Sequence, residues 1–239
     1  MKRDSVPFAE GLRMQVEPIF RNRSEAGRRL AEELMSSVQD SEALVLALPR
    51  GGVPVGFEVA RALRAELDTF LVRKLGLPGQ EELAIGAIAS GGVRVLNEGL
   101  VQELQLSRNL IDRITNREAN ELKRREEFYR QGRSAHPIYD RTIVLVDDGL
   151  ATGATMKAAS RAVRLQRPKR IIVAVPLAAA ETCDALRSDA DEVVCLYTPE
   201  PFRAVGIWYE DFSQTSEEEL QHLLTEAARQ TAAQHHEGR

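Results

Sequence analysis

At 239 residues the chain is long enough to bury one full α/β core. Its 43% hydrophobic and 28% charged residues read as globular, which excludes the disordered and membrane-embedded classes. With 36 acidic and 32 basic residues the net charge is −4, so no global charge draws the chain to nucleic acid or an anionic membrane, and a phosphate ligand needs a local site.

In chain order, residues 24–38 predict an amphipathic helix, with Ser24 as N-cap and Ala26, Leu30, Leu34 and Val38 on one face. The continuous apolar run 43–48 predicts a strand covered on both faces, ending at Pro49-Arg50-Gly51-Gly52. A helix over about 54–64 follows, then a strand over about 69–72 that ends at Arg73-Lys74. Residues 75–97 hold two strand-like runs, 83–89 and 93–96, around Gly91-Gly92, and are expected to form a mobile hairpin projecting from the sheet. Residues 107–130 predict a long charged helix with Leu110, Ile114, Leu122 and Phe128 along one stripe. Its arginines and lysine alternate with acids, as on a solvated, ion-paired face; RNA binding is the lesser alternative. Three strand-then-helix units come next, beginning at residues 141, 170 and 192, and the final helix is expected over 216–228.

This alternation implies an α/β fold, a doubly wound and mostly parallel sheet flanked by helices. Residues 1–229 are expected to make a single domain, with 75–97 as a lid, 198–229 as a small hood, and 230–239 as a frayed tail. Cys183 and Cys195 are too few for a disulfide framework, and Cys195 is expected to be a buried free thiol in a reducing cytoplasm. Residues 1–11 have no apolar stretch long enough for a signal peptide, so a cytoplasmic location is expected.

The most informative segment is Ile143-Val144-Leu145-Val146-Asp147-Asp148-Gly149-Leu150-Ala151-Thr152-Gly153-Ala154-Thr155. An apolar strand delivers two adjacent carboxylates to its carboxyl end, where open α/β sheets bind ligands. The loop that follows opens a helix, whose amide N–H groups, with the hydroxyls of Thr152 and Thr155, suit an anion. Carboxylates beside a phosphate cradle need a partner other than phosphate, and sugar hydroxyls are natural ones. The nucleoside-triphosphatase loop requires a Gly-Lys-Ser/Thr ending that is absent here, and the three-glycine dinucleotide fingerprint is absent too.

This segment resembles the phosphoribosyl-pyrophosphate loop of type I phosphoribosyltransferases, and residues 17–225 resemble the uncharacterised bacterial members of that family. The resemblance implies that Asp147 and Asp148 hold the ribose 2- and 3-hydroxyls and that Gly149, Leu150, Ala151, Thr152, Gly153, Ala154 and Thr155 hold the 5-phosphate. It places pyrophosphate at Pro49, Arg50, Gly51 and Gly52, often beside a non-proline cis peptide, and at Arg73 and Lys74. It also implies Mg²⁺ bound mostly through the ligand, a homodimer, and a small-molecule acceptor. Some members carry an aspartate in the loop where Ala151 stands, so Glu82 on the expected lid is a candidate general base. Residues 197–212 hold five of the twelve aromatics and resemble a base-covering segment, with one extra residue between Phe202 and Val205-Gly206. There Phe202, Val205 and Trp208 are candidates for the acceptor site and Glu210 and Asp211 for the metal. The same aromatics could instead pack the last helix onto the sheet.

Overall fold

The computed structural model describes residues 17–38 and 42–237. The reading of residues 1–11 lies outside them. Among the described residues eight strands and seven α-helices follow in this order: α1 (Arg23–Ser37), β1 (Leu44–Ala47), α2 (Gly52–Leu63), β2 (Glu66–Thr69), β3 (Val72–Leu77), β4 (Gln80–Ala89), β5 (Val93–Leu96), α3 (Glu98–Glu103), α4 (Arg108–Arg130), β6 (Thr142–Val146), α5 (Ala154–Leu165), β7 (Arg170–Leu177), α6 (Ala180–Leu186), β8 (Glu192–Tyr197) and α7 (Glu217–Glu237).

Five strands form a parallel sheet in the order β2-β1-β6-β7-β8. Alternate residues of each strand face opposite layers. Val45, Ala47, Val144 and Val146 pack with Leu30 and Leu34 of α1, Val55 and Val59 of α2, and Leu220 and Leu224 of α7. Leu44, Leu46, Ile143 and Leu145 pack with Met156, Ala159 and Val163 of α5 and Leu186 of α6. Burial on both faces explains why these strands read as unbroken apolar runs. The chain runs outward to β2 from β1 and outward to β7 from β6, so the strand order reverses between two adjacent strands. That topological switch point opens a crevice beyond their carboxyl ends.

Several local expectations are corrected. Asn22, not Ser24, caps α1, its side chain accepting from the Glu25 amide at 3.0 Å. The run read as one strand at 69–72 divides: β2 stays in the main sheet, while β3 begins a separate antiparallel sheet in the order β3-β4-β5. Arg73 and Lys74 therefore lie inside β3. This small sheet is packed down rather than projecting as a lone hairpin. Leu75, Ile85 and Ile88 join the core, and the Ser90 hydroxyl accepts from the Leu71 amide at 2.9 Å. The buried stripe of α4 runs through Ile111, Ile114, Leu122 and Tyr129, while Phe128 is exposed. Cys183 and Cys195 join α6 to β8 as a disulfide rather than standing as free thiols. The segment expected to fray continues α7 as far as Glu237.

Candidate active site

The two phosphate-type loops leave the neighbouring strands β1 and β6 and meet at the switch point. The Leu48 amide bonds the Val146 carbonyl at 2.9 Å, which fixes the first loop against the second. The Pro49–Arg50 peptide bond is cis. Gly51 stands so close to the second loop that a Cβ there would lie 2.0 Å from Asp148 Oδ2, and one on Gly52 would lie 2.9 Å from the Asp147 Cα. Only glycine allows this approach.

The second loop is anchored from below. Leu150 donates its amide to Leu177 at 3.0 Å, and the Thr182 hydroxyl donates to the Ala151 carbonyl at 2.7 Å. Gly153 takes φ 66° at the N-cap of α5, and no side chain caps that helix. Its first-turn N–H groups are therefore available to an anion, and Ala151, Thr152, Ala154 and Thr155 are exposed around them.

Burial pushes the Asp147 carboxyl well above the ordinary carboxylate range, and the charge on Asp148 adds to the effect. Asp148 is raised by burial as well, and is opposed by Arg23. Arg23, the first residue of α1, donates through Nε to Asp148 Oδ2 at 2.8 Å and through Nη1 to the Ser213 carbonyl at 2.6 Å. Its guanidinium lies 3.9 Å from the centroid of the Phe212 ring. Tyr209 donates its hydroxyl to the Asp148 carbonyl at 2.6 Å, and burial raises its phenol. One acidic residue thus ties together α1, both loops and the segment after β8.

A family model described as the phosphoribosyl transferase domain matches residues 16–207. This chain belongs to the phosphoribosyltransferase family. Two provisionally named Mycobacterium tuberculosis phosphoribosyl transferases, from strains CDC 1551 and H37Rv, are each 46% identical over 214 residues. The match covers 90% of this chain and 48% of theirs, so the chain spans about half the length of these curated relatives. The crystal structure of TT1426 from Thermus thermophilus superposes with a TM-score of 0.78 at 43% identity, covering 87% of this chain and 98% of that one.

Within this family member, some expected site residues come together and others do not. Asp147, Asp148, the 149–155 loop, Arg50, Gly51 and Gly52 converge. Arg73 lines a cleft with Arg50 and Thr155, whereas Lys74 lines a neighbouring groove that Ala154 and Thr155 also border. Glu82 is exposed near the start of β4, seven residues from the strand's end at Ala89. Trp208 is buried with Phe20, Ala26, Leu177 and Tyr209 and presents no face to an acceptor. Phe202 packs on the same cluster, while Val205 stands where a Cβ on Gly149 would meet its Cγ1 at 2.7 Å. Glu210 and Asp211 are exposed, with their amides bonded to the carbonyls of Phe20 and Arg21 and the Asp211 carboxylate bonded to the Ser213 amide. No group of three or more metal-ligating side chains occurs among the described residues. No helix among them is long and apolar enough to cross a membrane. The sequence reading missed Arg23, Tyr209 and Phe212 as site residues, because Arg23 lies 125 residues from Asp148 and Tyr209 lies 61.

Proposed function

We propose that this chain transfers the phosphoribosyl group of 5-phosphoribosyl 1-pyrophosphate to a nitrogen base or related nucleophile and releases pyrophosphate, with Mg²⁺ bound alongside the donor. The observation that carries this reading is the contact between the two loops: a cradle for one phosphate, a glycine loop with an arginine for another, and two carboxylates between them. A ligand with a hydroxylated ring between two phosphate groups matches that order of chemistries.

In this reading the 149–155 loop and the N-terminus of α5 donate N–H groups to the 5-phosphate. Asp147 and Asp148 accept hydrogen bonds from the ribose hydroxyls and lie where positive charge grows on the sugar as the bond to pyrophosphate lengthens. Arg50 and Arg73 stabilise the charge on the departing group. Tyr209 and Arg23 hold Asp148 in place. Asp148 is engaged by Arg23 and Glu210 and Asp211 are exposed, so the residues present suit a metal that arrives on the diphosphate rather than one caged by protein. When bound, magnesium supplies charge neutralisation on the pyrophosphate. Rate enhancement then comes from positioning and charge complementarity, with no acid–base residue required from the small sheet.

The test is release of pyrophosphate from the donor in the presence of Mg²⁺ and a panel of purine, pyrimidine and other nitrogen nucleophiles. Acceptor-dependent release that disappears in Asp147→Asn/Asp148→Asn supports the reading. Release at the same rate from the double variant overturns it.

A further inference from the structure

The cleft beside the glycine loop has a second wall that the sequence pattern alone describes as a solvated helix face. It measures about 290 Å³ and includes Arg50, Arg73, Thr155, Glu217 at the start of α7 and, from the last turns of α4, Arg124, Arg125 and Tyr129. Four guanidinium groups on three separate elements face one small volume. The Arg50 side chain has no hydrogen-bond or ion-pair partner among the described residues. Arg124 and Arg125 share a single carboxylate: Arg124 reaches Glu121 at 2.8 and 3.0 Å, and Arg125 reaches it at 2.7 Å. Arg73 bonds Glu118 at 2.7 Å, and that carboxylate also serves Arg117. Four lining guanidinium groups thus meet one lining carboxylate, Glu217, and the two shared carboxylates Glu118 and Glu121 behind them, so cationic charge around the cleft exceeds its local counter-charge.

The Arg124 and Arg125 side chains are 67% and 46% exposed, so their pairing with Glu121 is weak and easily exchanged. The helix beneath them is fixed, because Arg130 is bonded to Asp68 and Arg133 to the Leu224 carbonyl. A polyanion that can accept several forked contacts at once is the ligand such a wall suits.

We propose that Arg124 and Arg125 of α4 contact the leaving group directly, exchanging the Glu121 carboxylate for pyrophosphate oxygens and completing, with Arg50 and Arg73, a four-arginine seat for it. This rests on the donor reading given above and adds the residues that grip the departing end. Glu121 serves as the internal counter-ion that holds the two guanidinium groups before the ligand arrives.

The experiment titrates Mg²⁺-pyrophosphate and, separately, ribose 5-phosphate into the full chain by calorimetry, comparing wild type with Arg124→Ala/Arg125→Ala and with Glu121→Gln. For the arginine double variant we expect pyrophosphate affinity to fall at least about tenfold, with a shallower salt dependence and ribose 5-phosphate binding unchanged. Glu121→Gln should bind pyrophosphate more tightly than wild type, an outcome that loss of helix stability would not produce. Wild-type pyrophosphate affinity in the double variant, or equal loss of both ligands, overturns the inference, and unchanged or weaker binding by Glu121→Gln overturns the counter-ion role. A wild-type chain that binds ribose 5-phosphate but not pyrophosphate overturns this inference alone, whereas one that binds neither overturns the donor reading as well.

Discussion

Arg23→Ala is the substitution whose consequences follow most directly from the geometry. It removes the Nε contact to Asp148 at 2.8 Å, the Nη1 contact to the Ser213 carbonyl at 2.6 Å, and the guanidinium resting 3.9 Å over Phe212. The two charged side chains are only 11% and 14% exposed, so the carboxylate left behind cannot recover its hydration. Breaking a buried ion pair costs about 3–5 kcal/mol, and the residual exposure here places the expected loss near the lower end, at about 3 kcal/mol. For a chain of this length that corresponds to a fall in Tm of roughly 6–12 °C. The loss should depend on pH. Asp148 already titrates above its ordinary value because of burial, and Arg23 is what opposes that rise. A carboxyl whose folded pKa lies above its unfolded one makes the fold less stable as pH rises through that interval. Removing Arg23 extends the interval upward, so the deficit is larger at high pH and shrinks as the pH falls and Asp148 takes up a proton. Urea unfolding followed by circular dichroism at several pH values measures this. A deficit below about 1 kcal/mol, or one that does not change with pH, would refute the assignment of Arg23 as the charge partner of Asp148.

The remaining predictions concern the crevice and the hood. Asp147→Asn should stabilise the free protein near neutral pH by on the order of 1 kcal/mol, since burial disfavours the charged Asp147 carboxylate, while lowering donor affinity; a thermal melt at pH 7 that shows destabilisation counts against this. Gly51→Ala places a methyl 2.0 Å from Asp148 Oδ2, so stability should fall by about 1–3 kcal/mol and donor affinity by at least about tenfold. Wild-type values in calorimetry and melting would mean that the two loops do not touch. Trp208→Ala should cost about 3–5 kcal/mol by emptying the cluster under α1. Trp208→Phe should leave the KM for an acceptor unchanged, and a raised KM would restore Trp208 to the acceptor site.

How far the chain could be read from its residues divides along physical lines. Four of the five strands of the main sheet, β1, β6, β7 and β8, were legible as apolar runs such as 43–48 and 142–146, whereas β2, with Glu66 and Asp68 in its four residues, was placed late, at 69–72. The loop 147–155 was legible because its chemistry is local: carboxylates, glycines and a helix start follow one another in the sequence. The small sheet was not, since its antiparallel register depends on pairing Val72 with Ala89, and the run 69–72 gives no sign that the chain changes sheets after Thr69. The disulfide escaped notice because 12 residues separate Cys183 from Cys195, a spacing with no signature of its own. Arg23 and Tyr209 were invisible as site residues for a related reason. An arginine at the start of a helix and a tyrosine after a strand are ordinary locally, and only the tertiary fold brings both onto Asp148. The α4 arginines are the exposed, ion-paired face that their interleaved acids describe, but that pattern carries no sign of the cleft that Arg124 and Arg125 line.

The most direct test of the central claim is a calorimetric titration of 5-phosphoribosyl 1-pyrophosphate into the protein, with and without Mg²⁺, alongside Asp147→Asn/Asp148→Asn. The account predicts saturable, Mg²⁺-dependent binding to the wild type and its loss in a double variant that remains folded. A folded wild-type protein that fails to bind the donor, or a double variant that binds it equally well, would contradict the account.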